Sequence, residues 1–264
     1  MKNLGRRIIP ILIAILLLAG CSPKTPQTTL TIGASPVPHA ELLKLIKGDL
    51  ARDGVNLKIV EFTDYVVPNT ALLYGDIDAN FTQHLPYLNS NSEWAEKLCP
   101  AFGVHIEPFG LYSRRHKSIA DIPDGALIAI PNDPTNGGRA LLLLEAHKLI
   151  ALRKGAGLQA TEKDIAINPR KLQFRALEAA QLPRALDNID AAAINGNYAL
   201  DAGLNPVKDS LIIEGADSPY VNIVAVRKGQ ENDPRILALR KALLSPKIKK
   251  HIEETYNGGV VAVF

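Results

Sequence analysis

Residues 30–60 read LTIGASPVPHAELLKLIKGDLARDGVNLKIV, and the hydrophobic period changes twice within them. Leu30 to Gly33 is a short β-like run. From about Ala40 to Leu50 the apolar residues Leu42, Leu43, Ile46 and Leu50 recur at helical spacing and line one face. Val55 to Val60 returns to β-like alternation after Asp53-Gly54, a turn signal. Strand, helix and strand with short connections predict a β-α-β unit, and hence a sheet with parallel strands covered by helices.

The same alternation continues outward. A short helix is predicted near Pro68 to Leu73, a strand at Ile77 to Asn80 and a helix from about Pro86 to Cys99. After Leu111-Tyr112-Ser113 it begins again: strand Leu127 to Ile130, helix Asn136 to Ile150, strand Leu172 to Arg175, helix Ala179 to Asp187, strand Ala191 to Asn195. Residues 75–80 and 188–195 share an Ile-Asp-Ala core that ends in Asn, which fits two related lobes. A strand at Tyr220 to Val226 then leads to helices near Pro234 to Leu244 and Pro246 to Tyr256. The expected class is α/β with two lobes joined by two crossings, lobe 1 being 29–110 plus 217–264 and lobe 2 being 111–216. Ligands of open α/β sheets bind beyond the carboxyl ends of the strands, so two such lobes face each other across a cleft.

The N-terminus carries an address. Lys2, Arg6 and Arg7 precede an apolar run from Ile8 to Leu18, and Leu18-Ala19-Gly20 runs directly into Cys21. The run is shorter than the roughly 20 residues that cross a bilayer, so it reads as a lipoprotein signal over 1–20. Cys21 is then the acylated first residue, and 21–28 a polar, proline-containing tether to the cell envelope. Removing 1–20 takes three basic residues and no acid, so 30 basic and 27 acidic residues become 27 of each. No positive excess remains to favour nucleic acid, and a small-molecule partner is expected. With Cys21 acylated, Cys99 stands alone and no intramolecular disulfide is expected.

Several segments fall at predicted strand ends. Ile128 to Arg139 (IAIPNDPTNGGR) is a strand, a turn and a helix start; Asp133 or Thr135 can cap the helix, and Arg139 offers a two-pronged contact to a carboxylate. The segment lacks the Gly-Lys-Ser/Thr ending of a phosphate loop. Aromatics are only 5% of the chain, so Tyr65, His84 and Tyr87 near cleft-edge polar residues stand out as an aromatic wall. Asn195 ends one strand and Asn222 begins another; each amide both donates and accepts, which suits a zwitterion. His39, His84 and His105 are scattered along the chain without metal-ligand spacing, so no metal is expected. There is no Gly-x-Ser-x-Gly elbow, and Cys99 is predicted inside an amphipathic helix, so catalysis is not expected.

The segments Phe62 to Asn69, Gly75 to Asn80 with Gln83 to Tyr87, Pro131 to Asn136 with Gly138-Arg139, and Ala179 to Arg184 together resemble the MetQ/NlpA family of methionine-binding lipoproteins. Ile194 to Ala199 and Ser218 to Asn222 extend the resemblance over essentially the whole chain after the signal. It implies a type II periplasmic-binding-protein-like fold that delivers L-methionine, or a related amino acid, to an ABC permease and its ATPase, with no cofactor. Tyr65, His84 and Tyr87 would hold the side chain and Arg139, Asn195 and Asn222 the backbone groups. One departure stands out: many members carry phenylalanine where this chain has Thr82, which opens the alternatives of another apolar amino acid or a methionine-containing dipeptide. Phe81 is adjacent, but successive strand residues point to opposite faces. A surface lipoprotein with an interaction role and no small ligand is the alternative of a different class.

Overall fold

The computed structural model describes residues 28–215 and 218–264. The expected signal, Cys21 and the tether up to residue 27 lie outside the described residues, as does the lobe boundary at 216/217. Thr28, expected in the tether, opens the first strand.

The first lobe begins with β1 (Thr28–Ala34), α1 (Glu41–Arg52) and β2 (Val55–Glu61). It continues with α2 (Val67–Tyr74), β3 (Ala79–His84), α3 (Leu85–Leu88), α4 (Ser92–Lys97) and β4 (Leu98–Ile106). The second contains β5 (Gly110–Tyr112), β6 (Leu127–Pro131), α5 (Pro134–Ala146), β7 (Ala151–Leu152), β8 (Ile165–Ile167) and β9 (Gln173–Leu177). It ends with α6 (Leu182–Ala185), β10 (Ala191–Ile194), α7 (Gly196–Asp201), α8 (Pro206–Asp209) and β11 (Ile212–Ile213). The chain then returns to the first lobe through β12 (Val221–Arg227), α9 (Pro234–Leu243), α10 (Pro246–Tyr256) and β13 (Val261–Ala262).

The first sheet has the order β13-β4-β12-β3-β1-β2, and the second β11-β5-β10-β6-β9. β1 pairs in parallel with both β2 and β3, whereas β12 runs antiparallel to β3 and β4. In the second sheet β6 is parallel to β9 and β10, and β5 antiparallel to β10. The sheets are therefore mixed, not wholly parallel as the β-α-β pattern predicts, because β12 and β13 in the first sheet and β5 in the second run opposite to the other strands.

Burial follows the periods of the sequence. Leu42, Leu43, Ile46 and Leu50 of α1 are fully buried with Leu30, Ile32 and Ala34 of β1 and Val224 and Val226 of β12 in one core. Ile223 and Ala225, on the other face of β12, join Leu72, Ile77 and Trp94 in a second cluster. Each sheet is thus apolar on both faces, as strands covered on both sides must be.

The helix predicted over 86–99 is replaced by α3, α4 and β4. Asn91 accepts from the backbone N–H groups of Glu93 and Trp94 and starts a new helix. The chain then leaves that helix at Leu98 because β4 pairs along β12 from Arg227 to Val221. Cys99 consequently lies in a strand, where its thiol donates to Glu231 at 3.0 Å; burial and that carboxylate push it up to about 12. The helix expected over 179–187 is a 3₁₀ turn at Ala179–Gln181 followed by the single turn of α6.

Candidate functional site

The chain passes from the first sheet to the second at residues 107–109 and returns to the first at β12, and one cavity lies between the two lobes. Tyr65, His84, Tyr87, Arg139, Asn195 and Asn222, the six residues expected from the sequence, all line it. Topology explains the convergence. His84 ends β3, Asn195 follows β10, and α5 starts just beyond β6, so these residues sit past the carboxyl ends of strands. Asn222 pairs with His84 across β3 and β12.

Thr82, Gln83 and His84 all face this cavity although they are consecutive. The register of β12 against β3 shifts between Ile223, opposite Gln83, and Val224, opposite Phe81. Thr82 is the bulged residue, and a bulge re-aims side chains that strict alternation would separate. The Gln83 amide is spent on Asn69 and Asn80, which hold the bulge in a buried amide network. Phe81 points the other way, fully buried against His39 and His105 at centroid distances of 4.5 and 5.3 Å. It therefore contributes nothing to the aromatic wall in place of Thr82.

The wall is larger than the sequence indicated. Tyr87 is backed by Trp94 at 5.6 Å, Tyr65 packs on Tyr87 at 5.7 Å and on Tyr198 at 5.0 Å, and His84 meets Tyr220 at 4.9 Å. Tyr65 and Tyr198 belong to opposite lobes. The Tyr65 hydroxyl donates to Asn197, and the Tyr198 hydroxyl to the Thr63 carbonyl, so the lobes meet across the cavity mouth. Burial raises the Tyr65 phenol well above its ordinary range, which keeps it a neutral donor.

The donor and acceptor roles of the polar residues can be worked out in sequence. Asp133 caps α5, accepting from the Asn136 backbone N–H at 2.9 Å and from the Asn136 side-chain amide. The cap takes the Asn136 N–H, Pro134 has none and Gly137 bonds the Asp133 carbonyl, so the Asp133 carboxylate already stands where an anion would bind at this helix start. With its amide nitrogen on Asp133, Asn136 can only accept at Oδ1. It does so from Asn195 Nδ2 at 2.8 Å and His84 Nε2 at 3.1 Å. His84 Nδ1 meanwhile accepts from the Tyr87 backbone N–H, which fixes the ring as the neutral Nε2–H tautomer. Burial first, and the nearby Arg139 charge second, lower the His84 pKa to about 3. Asn195 Oδ1 is left as a buried acceptor with no partner among the described residues.

On the opposite wall His39 Nε2 donates to Asn222 Oδ1 at 3.2 Å, so Asn222 presents its amide nitrogen to the cavity as a donor. Arg139 is 4% exposed and stacks over Tyr220 at 4.1 Å and Phe109 at 5.0 Å. Its partner is Glu214: Nε donates to Glu214 Oε1 at 2.9 Å and Nη2 to Glu214 Oε2, while Nη2 also reaches the Glu107 carbonyl at 2.9 Å. Among the described residues no acceptor engages Nη1 of Arg139, which is left as a donor.

Glu107 is a lining residue that the sequence reading did not single out, although it stands directly after β4. The histidines judged to be scattered are in part assembled around it. His105 Nε2 donates to Glu107 Oε1 at 2.8 Å, His39 Nε2 lies 3.4 Å from the same oxygen, and the two rings are 5.0 Å apart. Burial alone would raise the Glu107 carboxyl; His39, His105 and Arg139 outweigh it and hold the group below its usual range. His39 is lowered to about 4, chiefly by burial. Three potential ligand atoms of His39, His105 and Glu107 lie within 4.8 Å of one another, but they already hydrogen-bond in this arrangement. Among the described residues no helix is long and apolar enough to cross a membrane.

Comparison with known proteins agrees with this architecture. The family model described as NlpA lipoprotein matches residues 30–264. The membrane lipoprotein TpN32 of Treponema pallidum is 40% identical over 262 residues, 99% of this chain and 98% of that protein. The methionine-binding lipoprotein MetQ of Bacillus subtilis is 42% identical over 242 residues, 89% of this chain and 88% of that protein. A nutrient-binding protein of Burkholderia cenocepacia, solved bound to methionine, superposes with a TM-score of 0.86 at 44% identity, covering 89% of this chain and all of that one. A family model that spans nearly the whole chain, and relatives of this identity over 88% and 98% of their own length, show that the chain belongs to the NlpA lipoprotein family.

Proposed function

We propose that this chain is the substrate-binding component of an ABC importer and that it binds methionine in the cavity between its lobes. The arrangement of the cavity carries this reading: an aromatic wall stands beside free donors on one side and free acceptors on the other, which matches an apolar side chain attached to a zwitterion. Tyr65, Tyr87 and His84 would hold the side chain. Arg139 Nη1 and Asn222 Nδ2, both donors, would take the carboxylate, and Asn195 Oδ1, an acceptor, the ammonium group. The methionine in the Burkholderia relative supports the same ligand. In this reading the chain is a carrier and not an enzyme, held to the membrane through lipid on Cys21 and handing its ligand to a permease driven by a cytoplasmic ATPase.

Thr82 favours a second reading within the same class. It is 4% exposed and lines the cavity where an aromatic would contact a thioether, so another apolar amino acid or a methionine-containing dipeptide is its natural competitor. Native mass spectrometry of the purified protein separates the two by the mass of any retained ligand. A retained mass of methionine, and a thermal shift with methionine exceeding that with leucine, isoleucine or glycyl-methionine, is the expected result. No retained ligand and no shift with any of them would favour a purely interacting surface lipoprotein.

A further inference from the structure

We propose that Glu107 is the counter-ion of the ligand's ammonium group, so that the site admits only ligands whose amine is free. The proposal rests on the amino-acid reading above and adds to it a residue and a selectivity. Glu107 is 5% exposed and lines the cavity. Its Oε1 is engaged by His105 and approached by His39, whereas no donor among the described residues reaches Oε2. Oε2 lies toward the start of α7: a Cβ built on Gly196 would stand 3.2 Å from it. The residue before Gly196 is Asn195, whose Oδ1 is buried without a partner among the described residues.

A carboxylate oxygen and a buried amide oxygen that line one cavity, neither with a donor among the described residues, call for a cationic group with several hydrogens. Among the described residues no cation serves Oε2, and the Nε2 hydrogen of His105 is spent on Oε1. Arg139 already pairs with Glu214, and His39 and His84 are held neutral by burial. His39 and His105 act as positioning residues, since their hydrogen bonds and contacts fix the carboxylate with one oxygen toward the cavity. Gly196 is the complementary requirement, because a Cβ there would lie 2.6 Å from the Glu107 Cβ.

The test is calorimetry on the full-length protein in detergent with methionine, N-acetylmethionine and methionine methyl ester, and with the same derivatives of any other amino acid that binds. In the wild type, acetylation should weaken binding at least about 1,000-fold, as expected for a site built around a donor that the analogue lacks. Glu107→Gln should weaken binding of the free amino acid about 100-fold and shrink the penalty for acetylation to below about tenfold, while leaving the penalty for esterification unchanged. Gly196→Ala, which displaces the carboxylate without removing it, should shrink the same penalty. An acetylation penalty equal in wild type and Glu107→Gln would overturn the proposal, as would wild-type protein that binds N-acetylmethionine as tightly as methionine. If methionine fails to bind but another amino acid does, the methionine assignment falls and the acetylation ratio of that other ligand still decides the role of Glu107.

Discussion

The hydroxyl of Tyr65, at the edge of the first lobe, donates a 2.5 Å hydrogen bond to the side-chain oxygen of Asn197 at the start of α7 in the second. One side chain thus forms part of the aromatic wall and also ties the lobes together. Tyr65→Phe keeps the ring and removes the tie. A neutral hydrogen bond is worth about 0.5–1.5 kcal/mol net, so methionine affinity should fall roughly 2- to 12-fold, mainly through faster release. Stopped-flow dissociation rates check this, and an unchanged off-rate would show that the contact does not hold the closed arrangement.

Arg139→Lys tests the donor side of the cavity. Lysine cannot satisfy Glu214 with two parallel bonds and still offer a donor to the ligand, nor stack flat between Tyr220 and Phe109. Affinity should fall by about 30-fold or more, in line with losses of about 2–5 kcal/mol when a buried charge pair is disrupted. Calorimetry is the measurement, and a loss of less than about threefold would remove Arg139 from the carboxylate site.

Thr82→Phe addresses cargo. If position 82 completes the wall around a thioether, the substitution should strengthen methionine binding by the roughly 0.3–1.5 kcal/mol of a sulfur–aromatic contact, about 2- to 12-fold, with a smaller gain for norleucine. Equal affinities of the variant and wild type for methionine would remove this account of the site.

Two glycines on helices should respond in opposite directions. A Cβ on Gly138 in α5 would stand 2.3 Å from the Leu158 carbonyl oxygen, a backbone atom with little room to retreat. Gly138→Ala should cost about 1–3 kcal/mol, the range for overpacking. Gly48, exposed on α1, has nothing within 4 Å of a built Cβ, so Gly48→Ala should stabilise by about 0.5–1 kcal/mol. Urea unfolding midpoints measure both.

Stability should fall on acidification from pH 7 toward pH 4. His39 and His84 have folded-state pKa values of about 4 and 3, below the ordinary 6.5. Between the folded and unfolded values the unfolded chain binds protons that the native chain does not, so stability declines as pH drops below about 6.5. At pH 5 the loss is about 2 kcal/mol per histidine, and the depressed Glu107 acts in the same direction at lower pH. Replacing His84 with Gln should flatten the melting temperature between pH 7 and pH 5, and an undiminished slope would refute this assignment.

Much of this site could be read from the sequence because its residues follow strand ends, which periodicity locates well. Tyr65, His84, Tyr87, Arg139, Asn195 and Asn222 were placed in that way, with the family resemblance supplying their roles. Glu107 was not, because its significance depends on His39 and His105, which are 66 positions apart in the chain and adjacent only after β4 and β12 pair. The strand at Cys99 was misread as helix because its partner, β12, lies more than 100 residues away, and tertiary pairing overrode the local pattern. The bulge at Thr82 is invisible to a period-2 argument, since it appears only as a register shift against another strand. Likewise Glu214, the partner of Arg139, stands 75 positions along the chain from it.

The most direct test of the central claim is isothermal titration calorimetry of the protein lacking residues 1–21 against L-methionine, D-methionine and a panel of apolar amino acids and methionine dipeptides. Saturable binding of methionine with one-to-one stoichiometry, tighter than millimolar and tighter than the rest of the panel, is the predicted result. Binding of neither methionine nor any related amino acid more tightly than millimolar would contradict it.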